Sequence, residues 1–170
     1  MMRSRLTLLL LACLLPLSAC DTQDPDPNNV QRVFITEVRI VDAPLLRPDG
    51  DDWDSLGGNP DIYVELVNAT SGNIIESYRD ENFSNVGDND FPLVYDLGMG
   101  LPEIEFNSFN GVLAFDMYDE DPQLTKGDDD YMGSTEEFTL RDIIDSGTPQ
   151  FVSLTSANSD IVIRITLDYD

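Results

Sequence analysis

The 170-residue sequence has no histidine, only two cysteines, and only nine lysine and arginine residues. The absence of histidine excludes a Ser–His–Asp triad, an imidazole base and histidine-ligated zinc. Both cysteines, Cys13 and Cys20, lie near the N-terminus, so we expect no disulfide bond in the rest of the chain. The sequence also has no glycine-rich phosphate-binding loop. We therefore expect a protein that is not an enzyme.

The scarcity of basic residues leaves a strongly acidic chain. It has 33 aspartate and glutamate residues and a formal net charge of −24 at pH 7. Because phosphate binding requires clustered lysine and arginine, we expect no nucleic acid partner. Two explanations of the acidity stay open at this point. One is a surface adapted to high salt, and the other is a set of local carboxylate clusters that hold divalent cations.

The N-terminal segment has the pattern of a secretory signal. Arg3 and Arg5 precede an apolar run at residues 6–15, which is too short to span a bilayer. The segment ends in Leu-Ser-Ala-Cys at residues 17–20, which resembles the lipobox of bacterial lipoproteins. This resemblance implies that residues 1–20 are a signal peptide and that Cys20 carries the lipid. We expect the protein to be anchored to a membrane of the cell envelope, outside the cytoplasm.

Two regions follow Cys20. Residues 21–31 are acidic and polar and contain Pro25 and Pro27, which predicts a spacer between the lipid and a folded domain. From residue 32 onward, apolar and polar residues alternate in short runs separated by glycine, asparagine and proline turns. We therefore predict one all-β domain at residues 32–170, folded as an antiparallel sandwich. The predicted strands lie at residues 33–40, 62–66, 74–78, 91–95, 113–117 and 161–167.

Two acidic segments adjoin these predicted strands. The first, residues 49–61, runs directly into the strand that begins at residue 62. The second, residues 119–133, follows the strand at residues 113–117. Calcium takes about six to eight oxygen ligands, so it needs several carboxylates from different loops. Carboxylates that crowd together without a cation repel one another. The two segments therefore predict a calcium site if they meet at one end of the sandwich.

Three short motifs resemble those of a known family. Asn-Pro-Asp-Ile-Tyr-Val at residues 59–64 is similar to a Ser-Asp-Pro-Tyr-Val strand start, and residues 113–121 are similar to a strand that ends in Trp-Asp-x-Asp. Asp-Tyr-Met-Gly at residues 130–133 is similar to an Asp-aromatic-Ile/Met-Gly motif. Together they resemble the C2 domain, the calcium- and lipid-binding β-sandwich of protein kinase C and synaptotagmin. The resemblance covers roughly residue 32 to the C-terminus.

The resemblance implies an eight-stranded antiparallel Greek-key β-sandwich that binds Ca²⁺ between its acidic segments. The implied metal ligands are Asp54, Asp61, Asp119, Asp121 and Asp130. The sequence departs from the family at two points. Ile62 follows Asp61 where the family has proline, and the spacing from Asp121 to Asp130 is longer than usual. The longer spacing leaves Asp128 or Asp129 as possible substitutes for Asp130.

Two functions fit these observations. The first is a lipid-anchored calcium-binding module, whose acidic segments bridge through calcium to an anionic lipid, a polysaccharide or a partner protein. The alternative is a metal-free structural or interaction lipoprotein of the cell envelope with the same fold. Trp53, which lies between acidic residues of the first segment, has two interpretations as well. It is either a tip that inserts into a membrane or partner, or a side chain folded back onto its own loop.

Overall fold

A computed structural model describes residues 25–53, 58–121 and 129–170. The predicted signal peptide with Cys20, and the predicted ligand Asp54, lie outside these described residues. The described part of the chain is almost entirely strand and loop. It contains no helix that is both long and apolar enough to cross a membrane.

The described residues form ten strands, a short helix α1 (Leu140–Asp145) and a single 3-10 turn (Arg79–Glu81). Thr139 caps α1, because its side-chain oxygen accepts a hydrogen bond from the Asp142 backbone N–H at 3.1 Å. The strands are β1 (Val33–Asp42), β2 (Ile62–Asn68), β3 (Asn73–Ser77), β4 (Leu93–Asp96), β5 (Ile104–Phe106), β6 (Val112–Asp119), β7 (Asp130–Ser134), β8 (Phe138–Thr139), β9 (Phe151–Thr155) and β10 (Val162–Tyr169).

The strands form two antiparallel sheets. In the first sheet the order is β4-β1-β10-β9, and β5 also pairs with β1. In the second the order is β3-β2-β6-β7, and β8 also pairs with β6. The chain passes from one sheet to the other after β1, β3, β5 and β8, which is typical of Greek-key sandwiches. The predicted all-β class and antiparallel architecture are therefore confirmed.

The ten strands occupy eight positions, because two edge strands are interrupted. Val33 of β1 pairs with Tyr169 of β10 on one side and with Phe106 of β5 on the other. Further along β1, Glu37 pairs with β10 and with β4 in the same way. Strands β4 and β5 therefore share one edge of the first sheet, and β7 and β8 share one edge of the second. Counted by position, the predicted number of eight strands agrees with the structure.

A single apolar core holds the two sheets together. Ile163 and Ile165 of β10 are fully buried, while Arg164 between them and Thr166 after them face outward. In the second sheet, Phe115 of β6 is also fully buried. Side chains from both sheets belong to the same buried cluster. Burial of apolar surface between the sheets is therefore the main term that stabilises the fold, since the described part of the chain contains no cysteine.

The two ends of the sandwich differ in what they carry. At the N-terminal end, the backbone N–H of Gln31 donates to the Asp170 carbonyl, and the Thr148 hydroxyl donates to the Pro25 carbonyl at 3.1 Å. Part of the predicted spacer therefore contacts the domain. Strand β1 runs from this end for 10 residues, which is about 30 Å. It leads to the opposite end, the acidic end, which carries Asp61, Asp119, Glu120, Asp129 and Asp130.

Candidate functional site

Asp119 lies at the centre of the acidic end. It is the last residue of β6 and pairs with Ile62 of β2 on one side and with Asp130 of β7 on the other. Its side chain is 0% exposed, and one carboxylate oxygen accepts a hydrogen bond from the Asp61 backbone N–H at 2.7 Å. Asp119 therefore fixes the segment before β2 against the end of β6.

Asp61 joins three segments of the chain at this end. It directly precedes β2, and its Oδ1 accepts a hydrogen bond from the Asn85 backbone N–H at 2.6 Å. Its main-chain carbonyl accepts another from the Glu120 N–H at 2.8 Å. Asn85 has φ of 56°, a left-handed conformation that asparagine adopts more readily than most residues. The loop after β3 is therefore held against β2 and β6 by Asp61.

Asp130, the first residue of β7, forms an ion pair with Arg47. The same guanidinium donates to the Trp53 carbonyl at 2.7 Å and lies 5.5 Å from the centre of the Trp53 ring. Trp53 is only 5% exposed, and its indole N–H donates to the Pro44 carbonyl at 2.7 Å. Of the two interpretations of Trp53, the structure therefore supports the folded-back side chain. The loop after β1 reaches the acidic end through Arg47.

Asp129 is the most enclosed of the acidic side chains that contact an arginine, with 8% of its side chain exposed. It accepts a hydrogen bond from the Tyr63 hydroxyl at 2.7 Å and another from Arg79 at 2.7 Å. Nε of Arg79 also lies 3.5 Å from Oε1 of Glu120. Burial raises the pKa of Tyr63, and the bond to the Asp129 carboxylate raises it further. The phenol therefore stays protonated and remains a hydrogen-bond donor.

The donor atoms of the acidic end suit calcium in their chemistry. They are oxygens from three separate segments of the chain, which is how calcium sites are assembled. The opposite charge at this end is supplied by Arg47 and Arg79. Across residues 25–53, 58–121 and 129–170, no three side chains of the metal-binding types are grouped so that they could hold a metal ion. Calcium bound by Asp130 would therefore compete with Arg47 for the same carboxylate.

Hydrogen bonding and strand pairing bring three of the five predicted ligands to the same end of the sandwich, although their carboxylates are not grouped closely enough to hold a metal ion. Asp61 and Asp119 are in contact, and Asp130 pairs with Asp119 on the neighbouring strand. Asp121 lies two residues beyond the end of β6 and is partly exposed. Asp54 lies outside the described residues. The assignment of these five residues as calcium ligands remains a prediction.

Sequence reasoning missed the positive partners of the carboxylates. Nothing in the spacing of Arg47 or Arg79 indicates which carboxylate each contacts, because the partners lie 83 and 50 residues away. One signal was available in the composition. In a chain with 33 acidic and nine basic residues, the field of the protein favours arginine beside the acidic clusters.

Similarity to known proteins is found among solved structures and not among family models or curated proteins. No protein-family model matches the sequence, and no curated protein matches it. Among solved structures, the chain is similar to a C2 domain protein from Ramazzottius varieornatus, with 12% sequence identity and a TM-score of 0.43. The match covers 81% of this chain and 89% of that chain. At this identity and TM-score, the likeness assigns neither a ligand nor a function to this chain.

Proposed function

We propose that this protein is a lipid-anchored, C2-like calcium-binding module of the cell envelope. Cys20 carries the lipid, and the acidic end binds Ca²⁺ through Asp61, Asp119, Asp121 and Asp130, together with Asp54. The bound calcium then bridges to an anionic lipid, a polysaccharide or a partner protein. Nucleic acid is not a partner, because the net charge of −24 repels phosphate.

The observation that carries the calcium proposal is the meeting of Asp61, Asp119 and Asp130 at one end. They come from three segments of the chain, and Asp119 is held next to both of the others by the pairing of β2, β6 and β7. Asp119 is fully buried, so a carboxylate is placed where its charge is poorly solvated. A divalent cation at this end would offset the repulsion among the carboxylates.

The direction of β1 supports bridging away from the anchoring membrane. The spacer contacts the domain at the N-terminal end, whereas Arg47, five residues after β1, contacts Asp130 at the acidic end. The two ends are separated by the length of β1. A domain anchored through Cys20 would therefore present its acidic end away from the bilayer that holds the lipid.

A second function is favoured by the arginine contacts. Arg47 pairs with Asp130, and Arg79 pairs with Asp129 and Glu120, so part of the acidic charge is already offset. In this alternative the protein is a metal-free structural or interaction lipoprotein. Its acidic end would then contact another envelope protein directly, and a chelator would not affect the contact.

Calcium titration of the processed lipoprotein in detergent distinguishes the two functions. We expect binding heat in calorimetry and a rise in melting temperature in millimolar calcium. A concentration of 100 times the Kd stabilises the native state by about 2.7 kcal/mol. For a domain of this size, that corresponds to a rise of roughly 5 to 10 °C. Magnesium chloride and sodium chloride at matched ionic strength measure general screening, which a chain of this charge will feel.

Variants locate the effect. Asp119→Asn and Asp121→Asn should each abolish or strongly weaken the calcium-dependent rise. Asp116→Asn removes the same charge from β6 at a position away from the acidic end, so it should keep the rise. A melting temperature that responds equally to calcium, magnesium and sodium in all forms would leave the metal-free alternative standing.

The lipid anchor has its own experiment. A Cys20→Ser variant expressed in a bacterial host with labelled fatty acid should incorporate no label and should leave the membrane fraction. Labelling that persists in Cys20→Ser would contradict the anchor and would leave the calcium proposal unaffected.

A further inference from the structure

A cleft of about 420 Å³ lies beside the acidic end, between the free edge of β7 and the loop that joins β9 to β10. Tyr131, Ser134 and Glu136 line one wall, and Ser156, Asn158 and Ser159 line the other. The volume is within the range of small-molecule binding sites. Of the carboxylates assigned to calcium that the structure describes, none lines the cleft.

The polar groups of the cleft include a hydroxyl that lacks a partner. Ser159 Oγ is buried, and it has no hydrogen-bond partner among the described residues. Gly133 makes this close packing possible, because a Cβ at that position would lie 3.1 Å from Ser159 Oγ and 3.0 Å from Ile161 Cδ1. A buried hydroxyl without a partner is unfavourable unless water or a ligand completes its bonding.

The aromatic group of the cleft is rigidly supported. Tyr131 is 54% exposed, and its ring contacts Tyr118 edge-on with 5.5 Å between the ring centroids. Tyr118 in turn stacks on Tyr63 at 5.2 Å. The three tyrosines lie side by side on β7, β6 and β2. The outermost ring is thus an exposed flat surface with little conformational freedom to lose on binding.

The cleft disfavours two other classes of ligand. Of the described residues that line it, none is basic, and Glu136 adds a negative charge, so an anionic ligand is repelled. An extended peptide would add to the free edge of β7, but β7 contains a bulge. Tyr131 pairs with Tyr118 and Gly133 with Met117, which leaves Met132 as the additional residue. Bulges of this kind interrupt the ladder that an added strand requires.

We propose that this cleft binds a neutral oligosaccharide. A sugar ring stacks on Tyr131, and its hydroxyl groups donate to the Glu136 carboxylate and bond with the Asn158 amide, all three of which belong to exposed residues. Carboxylate, amide and hydroxyl groups together match the donors and acceptors of a polyhydroxylated ligand. The inference does not depend on calcium, because the cleft residues are not the proposed metal ligands.

The test is affinity electrophoresis of the processed lipoprotein in EDTA, in native gels that contain one polysaccharide each. The neutral probes are dextran, yeast mannan, barley β-glucan and xyloglucan, and alginate is the anionic probe. We expect at least one neutral probe to retard the protein and alginate to have no effect. Because EDTA removes calcium, this assay measures polysaccharide binding independently of the calcium proposal. Either proposal can therefore fail while the other holds.

Three variants locate the binding. Tyr131→Ala should weaken the retardation roughly tenfold or more, and Glu136→Gln, at an exposed position with little effect on folding, should weaken it severalfold. Phe151→Ala is the matched control, because Phe151 is 55% exposed and does not line the cleft. Migration unaffected by every neutral probe would overturn the proposal. The proposal would also be overturned if Tyr131→Ala and Phe151→Ala bound polysaccharide equally well. Stronger retardation by alginate than by the neutral probes would overturn it, and so would displacement of the bound polysaccharide by a Thr-Val hexapeptide but not by sugar.

Discussion

Replacing Arg47 with glutamine tests whether an arginine holds the place that calcium would take. The Arg47 guanidinium contacts the Asp130 carboxylate and the Trp53 carbonyl and lies over the Trp53 ring. In the metal-free alternative these contacts are simply structural. In the calcium proposal they compete with the ion, so their removal should weaken the apo protein and tighten calcium binding.

The two magnitudes follow from the contacts. The Arg47 and Asp130 side chains are 35% and 37% exposed, and such a pair contributes at most about 1 kcal/mol. The bond to the Trp53 carbonyl adds about 1 kcal/mol, and the contact with the ring adds about 0.5 to 1 kcal/mol. Arg47→Gln should therefore lower the free energy of unfolding without calcium by about 1 to 3 kcal/mol.

The effect on calcium has the opposite sign. A single positive charge 4 Å from a divalent ion costs about 2 kcal/mol even at the dielectric constant of water. Its removal should lower the calcium Kd by roughly tenfold or more. Calorimetry of the wild type and of Arg47→Gln in the same buffer measures this change, and urea denaturation in EDTA measures the loss of stability.

Arg39→Gln is the control. Arg39 pairs with Glu37 on β1 at similar exposure, so its replacement changes the net charge equally but leaves the acidic end intact. A calcium Kd that falls by the same factor in both variants would mean that only the overall charge matters. A Kd unchanged in Arg47→Gln would refute the competition between Arg47 and calcium.

Three further predictions concern the fold. Burial raises the pKa of Tyr78 and Tyr95 well above 10, so they stay protonated in the folded state while the unfolded chain ionises. Stability from this source is complete below pH 10 and is lost as the pH rises beyond it, by about 1.4 kcal/mol for each tyrosine at pH 11. The tyrosinate absorbance that is lost in Tyr78→Phe and Tyr95→Phe should appear only together with the loss of circular dichroism, and its appearance before that loss would contradict the burial of these two side chains. Thr139→Ala removes the cap of α1 and should cost about 1 kcal/mol, read as a lower urea midpoint. Gly133→Ala forces a side chain into a φ of 140° against Ile161 and should cost about 1 to 3 kcal/mol in the same assay, whereas an unchanged midpoint would show that the backbone relaxes there.

The central strands could be predicted because, in each sheet, one face of these strands is buried against the other sheet. In β10 the buried isoleucines alternate with outward polar residues, so a period of two marks the strand in the sequence. Edge strands carry a weaker signal. Of β9, only Leu154 is buried, and the sequence therefore showed no strand at Phe151–Thr155. In β7 the bulge at Met132 breaks the alternation, and β4 begins after Pro92, which has no N–H for a ladder.

The candidate site likewise has a part that the sequence predicts and a part that it does not. The meeting of Asp61 and Asp119 could be anticipated, because Asp61 directly precedes the predicted strand at residues 62–66 and Asp119 follows the predicted strand at residues 113–117. Asp130 was expected only from the family motif that residues 130–133 resemble, because no strand was predicted there. The arginine partners could not be anticipated. Their positions depend on how the loops after β1 and β3 fold back, and a sequence does not encode that geometry in any local spacing. The composition shows that acidic residues far outnumber basic ones, but only the structure shows which carboxylates are paired with an arginine.

The hydrogen bond from Thr148 to the Pro25 carbonyl limits how far the domain can stand from a bilayer. If the lipid is on Cys20, the tether between the lipid and the domain is the chain from residue 20 to residue 25, which spans at most roughly 17 Å when fully extended. A tether of this length keeps the domain close to the headgroups and restricts its tumbling. Capture by such a protein would take place in a thin layer above the membrane surface.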